Sequence, residues 1–273
     1  MSGMPHQIKV AGTTIRIWQT GSGSKILFVL PGYLQKPETW TSWLSRLPGG
    51  WSAVMIGMPG SISEIDPGHP EWNESTWVDL VRLLRTRYRP SVESWLGYSL
   101  GGRLLLYLAG IPHIGIHRVM LMSPDGLAPS LGERLFLYHR LGQRPLKWMI
   151  ERPEMARRLV HVFRRIGLID QSGHHFLIRQ LRNIPSLETG YHVVRIYTQA
   201  QPSRRRLRKA NTVQKITVYA IWGESDKVRP ISQSRSLWKF FETVHLSAVP
   251  GGHTWPAVYP HLLEKWLMEG LKQ

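Results

Sequence analysis

The sequence predicts an α/β fold, a mostly parallel and doubly wound sheet of about eight strands interrupted by a helical insertion. Three observations predict it. Short apolar runs that end on Gly or Pro recur along the chain. Amphipathic stretches at helical spacing separate them. The alternation stops between about 126 and 213 and then resumes at Ile216.

The elements follow in order. Ile8–Val10 and Thr14–Trp18 read as a hairpin about Ala11-Gly12. Lys25–Leu30, KILFVL, is apolar almost throughout and ends at Pro31-Gly32. Ala53–Ile56 ends at Gly57, Glu93–Leu96 at Gly97, Arg118–Met122 at Ser123-Pro124, Ile216–Trp222 at Gly223, and Val244–Val249 at Pro250-Gly251. Runs without polar alternation suit strands buried on both faces. Between them, Glu38–Leu47 carries Trp40, Trp43 and Leu44 on one face, and Thr76–Tyr88 carries Trp77, Leu80, Val81 and Leu84. Leu100–Ala109, Ser232–Phe241 and His261–Leu271 complete the helices of the alternating part.

The stretch 126–213 holds no convincing strand. Its helix-like segments are Leu131–Leu141, Pro145–Ile150, Pro153–Ile166, Gln171–Leu181 and Leu187–Ala200. The domain reading is therefore 1–125 and 214–273 as the two parts of one α/β unit, with 126–213 as an inserted helical unit. Arg204–Lys209, RRRLRK, reads as a low-complexity basic tract.

Composition removes several function classes. The chain has 273 residues, 42% of them apolar, and 12 Trp, which excludes a disordered basic tail. It has no Cys, so disulfides, thiolate metal sites and a cysteine nucleophile are excluded. No apolar run is long enough for a signal peptide or a membrane span, and we expect a soluble, cytoplasmic protein. The formal net charge is +17. Such an excess fits nucleic acid, an anionic membrane or an anionic substrate. No zinc finger, RNP-like motif or basic-region heptad accompanies it, so no specific nucleic-acid partner is expected.

The chemistry is concentrated in Gly97-Tyr98-Ser99-Leu100-Gly101-Gly102, a G-x-S-x-G between a strand and a helix. So tight a turn strains the backbone at Ser99 and projects its hydroxyl at the C-terminal edge of the sheet. A serine nucleophile needs a base and a group to orient it. His253, in Pro250-Gly251-Gly252-His253, follows the final strand and is the expected base. Asp226 follows the ITVYAIW strand and is the expected acid that fixes the imidazole tautomer. Asp125 also ends a strand and competes with it, and Glu224 is a further contender. Two N–H donors must hold an oxyanion. The backbone N–H groups of Leu100 and of Tyr33, after Gly32, are the candidates. His161, His174, His175, His192 and His245 are read as ordinary surface or partly buried residues. No metal is expected, because no carboxylate sits at helical ligand spacing from His174-His175, and no cofactor is implied, because the glycine turn is neither a dinucleotide fingerprint nor a P-loop.

The segments PGYLQKPETW, IGMPG, GYSLGGR, WGESD and VPGGH together resemble the α/β-hydrolase superfamily, in its capped serine-hydrolase branch. The resemblance covers nearly the whole chain and makes 126–213 a cap. It implies a triad of Ser99, Asp226 and His253. Two departures stand out. Pro31-Gly32 replaces the common His-Gly at the oxyanion turn, and the nucleophile is Ser rather than Asp, which argues against epoxide hydrolase and haloalkane dehalogenase chemistry. GYSLGGR is also similar to the menaquinone-pathway synthase, a lyase of this fold, which makes Arg103 a candidate carboxylate-binding residue. The fold itself does not select a substrate.

The expected activity is hydrolysis of a small-molecule ester or thioester through an acyl-enzyme. Carbon–carbon bond hydrolysis, a lyase reaction with the same triad, and a non-catalytic binder are the alternatives. Leu131, Leu135, Phe136, Trp148, Met149 and Phe163 are candidate apolar pocket walls. The segment 126–213 carries 17 Lys+Arg against 5 Asp+Glu, mostly Arg, and so places most of the charge on the cap. A basic cap fits an anionic substrate or peripheral contact with an anionic membrane.

Overall fold

The computed structural model describes residues 5–33, 35–44, 46–59, 72–127, 144–169, 171–197 and 199–272. The chain divides into two units, 1–129 with 200–273, and 130–199.

The first unit is built on one eight-stranded sheet in the order β1-β2-β4-β3-β5-β6-β7-β8. The strands are β1 His6–Val10, β2 Thr13–Thr20, β3 Lys25–Leu30, β4 Trp51–Ile56, β5 Val92–Tyr98, β6 Arg118–Met122, β7 Thr217–Gly223 and β8 Thr243–Val249. β2 runs antiparallel to both its neighbours, and every other pairing is parallel. Ala11 and Gly12 both take positive φ, 45° and 75°, as a two-residue hairpin of this hand requires.

β3 lies between β4 and β5 at the centre, so its side chains are buried on both faces as their unbroken apolar run predicts. Leu27 and Val29 face a cluster with Trp40 and Trp43 from α1, Pro37–Leu44, and Trp266 and Leu267 from α10, Pro260–Lys272. Phe28 faces the opposite side, where its ring meets Trp95 at 4.5 Å and Tyr88 at 6.1 Å. Tyr88 ends α2, Glu74–Tyr88, a helix capped by the Asn73 side chain on Thr76 N–H. α3, Leu100–Ala109, is almost wholly buried.

Two expectations change. β8 alternates little and is largely exposed, because it is the edge of the sheet rather than an interior strand. The basic tract at 204–209, read from the sequence as part of the insertion, lies outside the second unit. It opens α8, Arg204–Gln214, which lies in the first unit. The reason is side-chain commitment. Leu207, Ala210, Asn211 and Gln214 are buried. The Gln214 amide donates to Pro112 C=O at 2.6 Å, and the Asn211 carbonyl accepts from Ile216 N–H at 3.0 Å.

The second unit is helical over its described residues: α4 Arg144–Glu151, α5 Pro153–Arg165, α6 Gln171–Arg182 and α7 Ile184–Tyr197. Ala156, Val160, Leu181 and Leu187 form its core, with Trp148, Met149 and Leu177 packed against them. Trp148 and Met149, expected as pocket walls, thus serve this cluster. Leu131, Leu135 and Phe136 lie outside the described residues. α9, Trp255–Val258, completes the helices of the first unit. Among the described residues no helix is long and apolar enough to cross a membrane.

Candidate active site

The parallel strands deliver three loops to one edge of the sheet. β5 ends at Tyr98 and α3 begins at Leu100, leaving Ser99 as the only residue of the turn. Its backbone is held at φ 51° and ψ −114°, a conformation that L-residues rarely adopt. Neighbouring backbone enforces it. Ser99 N–H donates to Met122 C=O at 3.0 Å, and Ser99 C=O accepts from Arg103 N–H at 3.1 Å and Asp125 N–H at 2.9 Å. The glycines are steric requirements. A Cβ on Gly101 would sit 2.0 Å from Leu30 O, and one on Gly97 would sit 2.6 Å from Gly102 Cα.

The other two loops are bound to each other. A Cβ on Gly223 would fall 2.5 Å from Gly251 O, so the ends of β7 and β8 touch backbone to backbone. Ser225 N–H donates to Gly251 C=O at 2.9 Å and Glu224 N–H to Val249 C=O at 2.9 Å. These contacts bring Asp226 beside His253.

The result is a continuous hydrogen-bonded series. His253 Nδ1 lies 2.8 Å from Asp226 Oδ2, and His253 Nε2 lies 3.0 Å from Ser99 Oγ. With Nδ1–H directed at the carboxylate, Nε2 accepts the serine proton. The Asp226 side chain is fully buried, and its other oxygen accepts Val228 N–H at 2.9 Å and Arg229 N–H at 2.8 Å. Burial pushes its carboxyl up. The bond from His253, the Arg229 N–H, the His253 charge and the nearby Ser123 hydroxyl outweigh that and hold it below its ordinary value.

Asp125 is elsewhere engaged. Its carboxylate meets Arg229 at 2.8 Å and Arg103 at 3.5 Å. Arg103 is 1% exposed, and its Nε also donates to Ala200 C=O at 3.3 Å. Arg103, a candidate carboxylate-binding residue from the sequence, is enclosed among protein groups. Glu224 is exposed and outside the series. Tyr33 is on the surface at the turn after β3, where the neighbouring Gly32 N–H donates to Gln35 Oε1 at 2.8 Å. Among the described residues no backbone carbonyl accepts from the N–H of Tyr33 or of Leu100.

One residue of this site escaped the sequence. Tyr98, 4% exposed, donates its hydroxyl to His253 C=O at 2.6 Å. Its ring also stacks on the imidazole, with centroids 5.4 Å apart and planes at 24°. Burial, with the Asp226 charge nearby, pushes the phenol well above its ordinary value, so it remains a donor. Its only sequence signal is its place before Ser99, inside the motif. In the second unit, His174 Nε2 and His161 Nδ1 lie 3.0 Å apart. Among the described residues no three His, Asp or Glu side chains converge as a metal site.

No protein-family model matches the sequence, and no curated protein matches it at a significant level. Solved structures do. A hydrolase from Pseudomonas aeruginosa is 16% identical with a TM-score of 0.69, over 100% of both chains. An esterase from Exiguobacterium antarcticum is 16% identical with a TM-score of 0.67, over 99% of this chain and 100% of its own. The enol-lactonase from Burkholderia xenovorans is 15% identical with a TM-score of 0.67, over 98% and 100%. At these identities the likeness speaks to architecture. Together with the strand order and the strained serine turn, it establishes that this chain has the α/β-hydrolase fold.

Proposed function

We propose that this chain is a serine hydrolase that cleaves a carboxylic ester or thioester through an acyl-enzyme on Ser99. The observation that carries the proposal is the unbroken series Ser99–His253–Asp226, with contacts of 3.0 and 2.8 Å, on a backbone strained at the serine. Ser99 Oγ attacks the carbonyl carbon while His253 Nε2 takes its proton. The buried Asp226 carboxylate stabilises the resulting imidazolium. The oxyanion is held by the N–H groups of Leu100 and Tyr33. Collapse expels the alcohol or thiol, which receives the proton from His253. Water, deprotonated by the same imidazole, then attacks the acyl carbonyl and releases the acid, restoring Ser99.

The lyase alternative loses support, because the arginine it would use for substrate is enclosed with Asp125. The test uses short p-nitrophenyl esters and a fluorophosphonate probe. The wild-type chain is expected to hydrolyse the esters and to be labelled once. Ser99→Ala is expected to fold, to resist labelling and to lose hydrolysis. Retained hydrolysis in that variant refutes the serine mechanism. A wild-type chain that resists the probe favours a non-catalytic binder.

A further inference from the structure

The basic residues that open α8 are not spread around the helix. Arg204 and Arg208 are four apart and Arg205 and Arg208 three apart, so all three share one face. That face meets the end of the 3-10 helix Ile231–Lys239. Arg204, Arg205, Arg208, Lys239 and Phe240 line a recess of about 400 Å³. This volume lies in the roughly 300–1,000 Å³ range of small-molecule sites. Arg208 Nε donates to Lys239 C=O at 2.8 Å, which steadies its guanidinium. Phe240 is 5% exposed and supplies an apolar wall.

Among the described residues no acid lines the recess, and none of its four cations forms an ion pair. Other cations of the same unit do find carboxylates: Arg206 meets Glu74, Arg85 meets Glu93, Arg46 meets Glu264 and Lys215 meets Glu242. The helix is also charged against its own dipole. Its first turn holds three consecutive Arg and no acid, where negative charge is preferred. Like charges at these spacings also repel along the helix. Local chemistry broken this way without internal compensation is expected where a ligand supplies the missing charge.

We propose that this recess is a binding site for a phosphate-bearing small molecule, with a diphosphate group as the best match. Arginine forks pair with phosphate oxygens bidentately, and four cations exceed what one carboxylate balances. The recess shares no residue with the Ser99–His253–Asp226 series, so this proposal stands or falls apart from the proposed hydrolysis.

The probe is inorganic pyrophosphate, titrated calorimetrically into the full chain at about 0.1 M salt, where exposed charges are well screened. Saturable binding with one site per chain is expected. Arg205→Gln and Lys239→Gln each are expected to weaken it about tenfold, as loss of a charge-assisted contact does. All three positions substituted here, including the control Arg46, are exposed side chains. Arg46→Gln removes the same charge elsewhere and is expected to leave Kd within about twofold. Equal weakening by Arg46→Gln, or no saturable binding, overturns the proposal. Vesicles of phosphatidylglycerol form the second arm. Binding to vesicles without binding to pyrophosphate also overturns it, in favour of a membrane surface.

Discussion

Tyr98→Phe separates positioning from packing at the candidate active site. The substitution keeps the ring that stacks 5.4 Å from the imidazole and removes only the hydroxyl that donates to His253 C=O at 2.6 Å. The carbonyl loses a buried donor, at a cost of about 1–3 kcal/mol in stability. The loop Gly251-Gly252-His253 retains its bond from Ser225 N–H, so the fold survives. What is lost is one restraint on the imidazole. If His253 then meets Ser99 Oγ a tenth of the time, the rate falls about tenfold, equivalent to about 1.4 kcal/mol in the barrier. The hydroxyl is committed to the protein, so KM is expected to stay within about twofold while kcat falls. Steady-state kinetics on a p-nitrophenyl ester measures both. The rate of fluorophosphonate labelling is expected to fall by the same factor as kcat. A folded variant with kcat unchanged refutes the positioning role. A rise in KM alone assigns Tyr98 to substrate instead.

Gly101→Ala drives a Cβ to 2.0 Å from Leu30 O, backbone against backbone. We expect a loss of about 3 kcal/mol or more, read as a fall of roughly 6–12 °C in Tm, together with loss of hydrolysis. An unchanged Tm contradicts the geometry of the turn. Asp125→Asn leaves the buried Arg103 and its partner Arg229 facing a neutral amide, and we expect destabilisation of about 3–5 kcal/mol in urea unfolding. A stable but inactive variant returns Asp125 to the role of triad acid. Asp226 has a folded-state pKa below its unfolded value of about 3.9, so its stabilisation is present above that pH and lost as pH falls through the folded value. The stability gap between wild type and Asp226→Asn is therefore expected to narrow below about pH 4. A gap that is constant from about pH 3 to 7 contradicts the assigned environment.

Much of the sheet was legible because its strands end on residues with one physical use. Gly97, Gly101 and Gly223 stand where another backbone passes too close for a Cβ; Gly97 and Gly223 mark strand ends that the sequence located, and Gly101 the start of the helix after Ser99. Ser99, Asp226 and His253 were legible for the same reason, as the residues those turns present. Asp226 was favoured over Asp125, although both follow an apolar strand. Their difference is spatial. Asp226 meets His253 because Gly223 packs on Gly251, whereas Asp125 sits between arginines 22 residues before it and 104 after it. Tyr98 was invisible because its partner is a backbone carbonyl 155 residues away. α8 was misplaced because five cations in six residues mask the four side chains, Leu207, Ala210, Asn211 and Gln214, that are buried in the first unit.

That misplacement alters what the charge means. The sequence alone puts the excess on the inserted helices, where a cationic cover is a sufficient account. The second unit, 130–199, carries 12 Lys+Arg and 5 Asp+Glu. Residues 200–213 carry 5 basic side chains and no acid, and they belong to the unit that holds Ser99. Arg206 pairs with Glu74, while Arg204, Arg205 and Arg208 line the recess with Lys239. A diffuse field screens within about 10 Å at 0.1 M salt and selects no partner. Four cations converging on one recess can select an anion by geometry as well as sign. The salt dependence of pyrophosphate binding therefore distinguishes the two sources of charge. A field effect vanishes as salt rises, while a bidentate site weakens but still saturates.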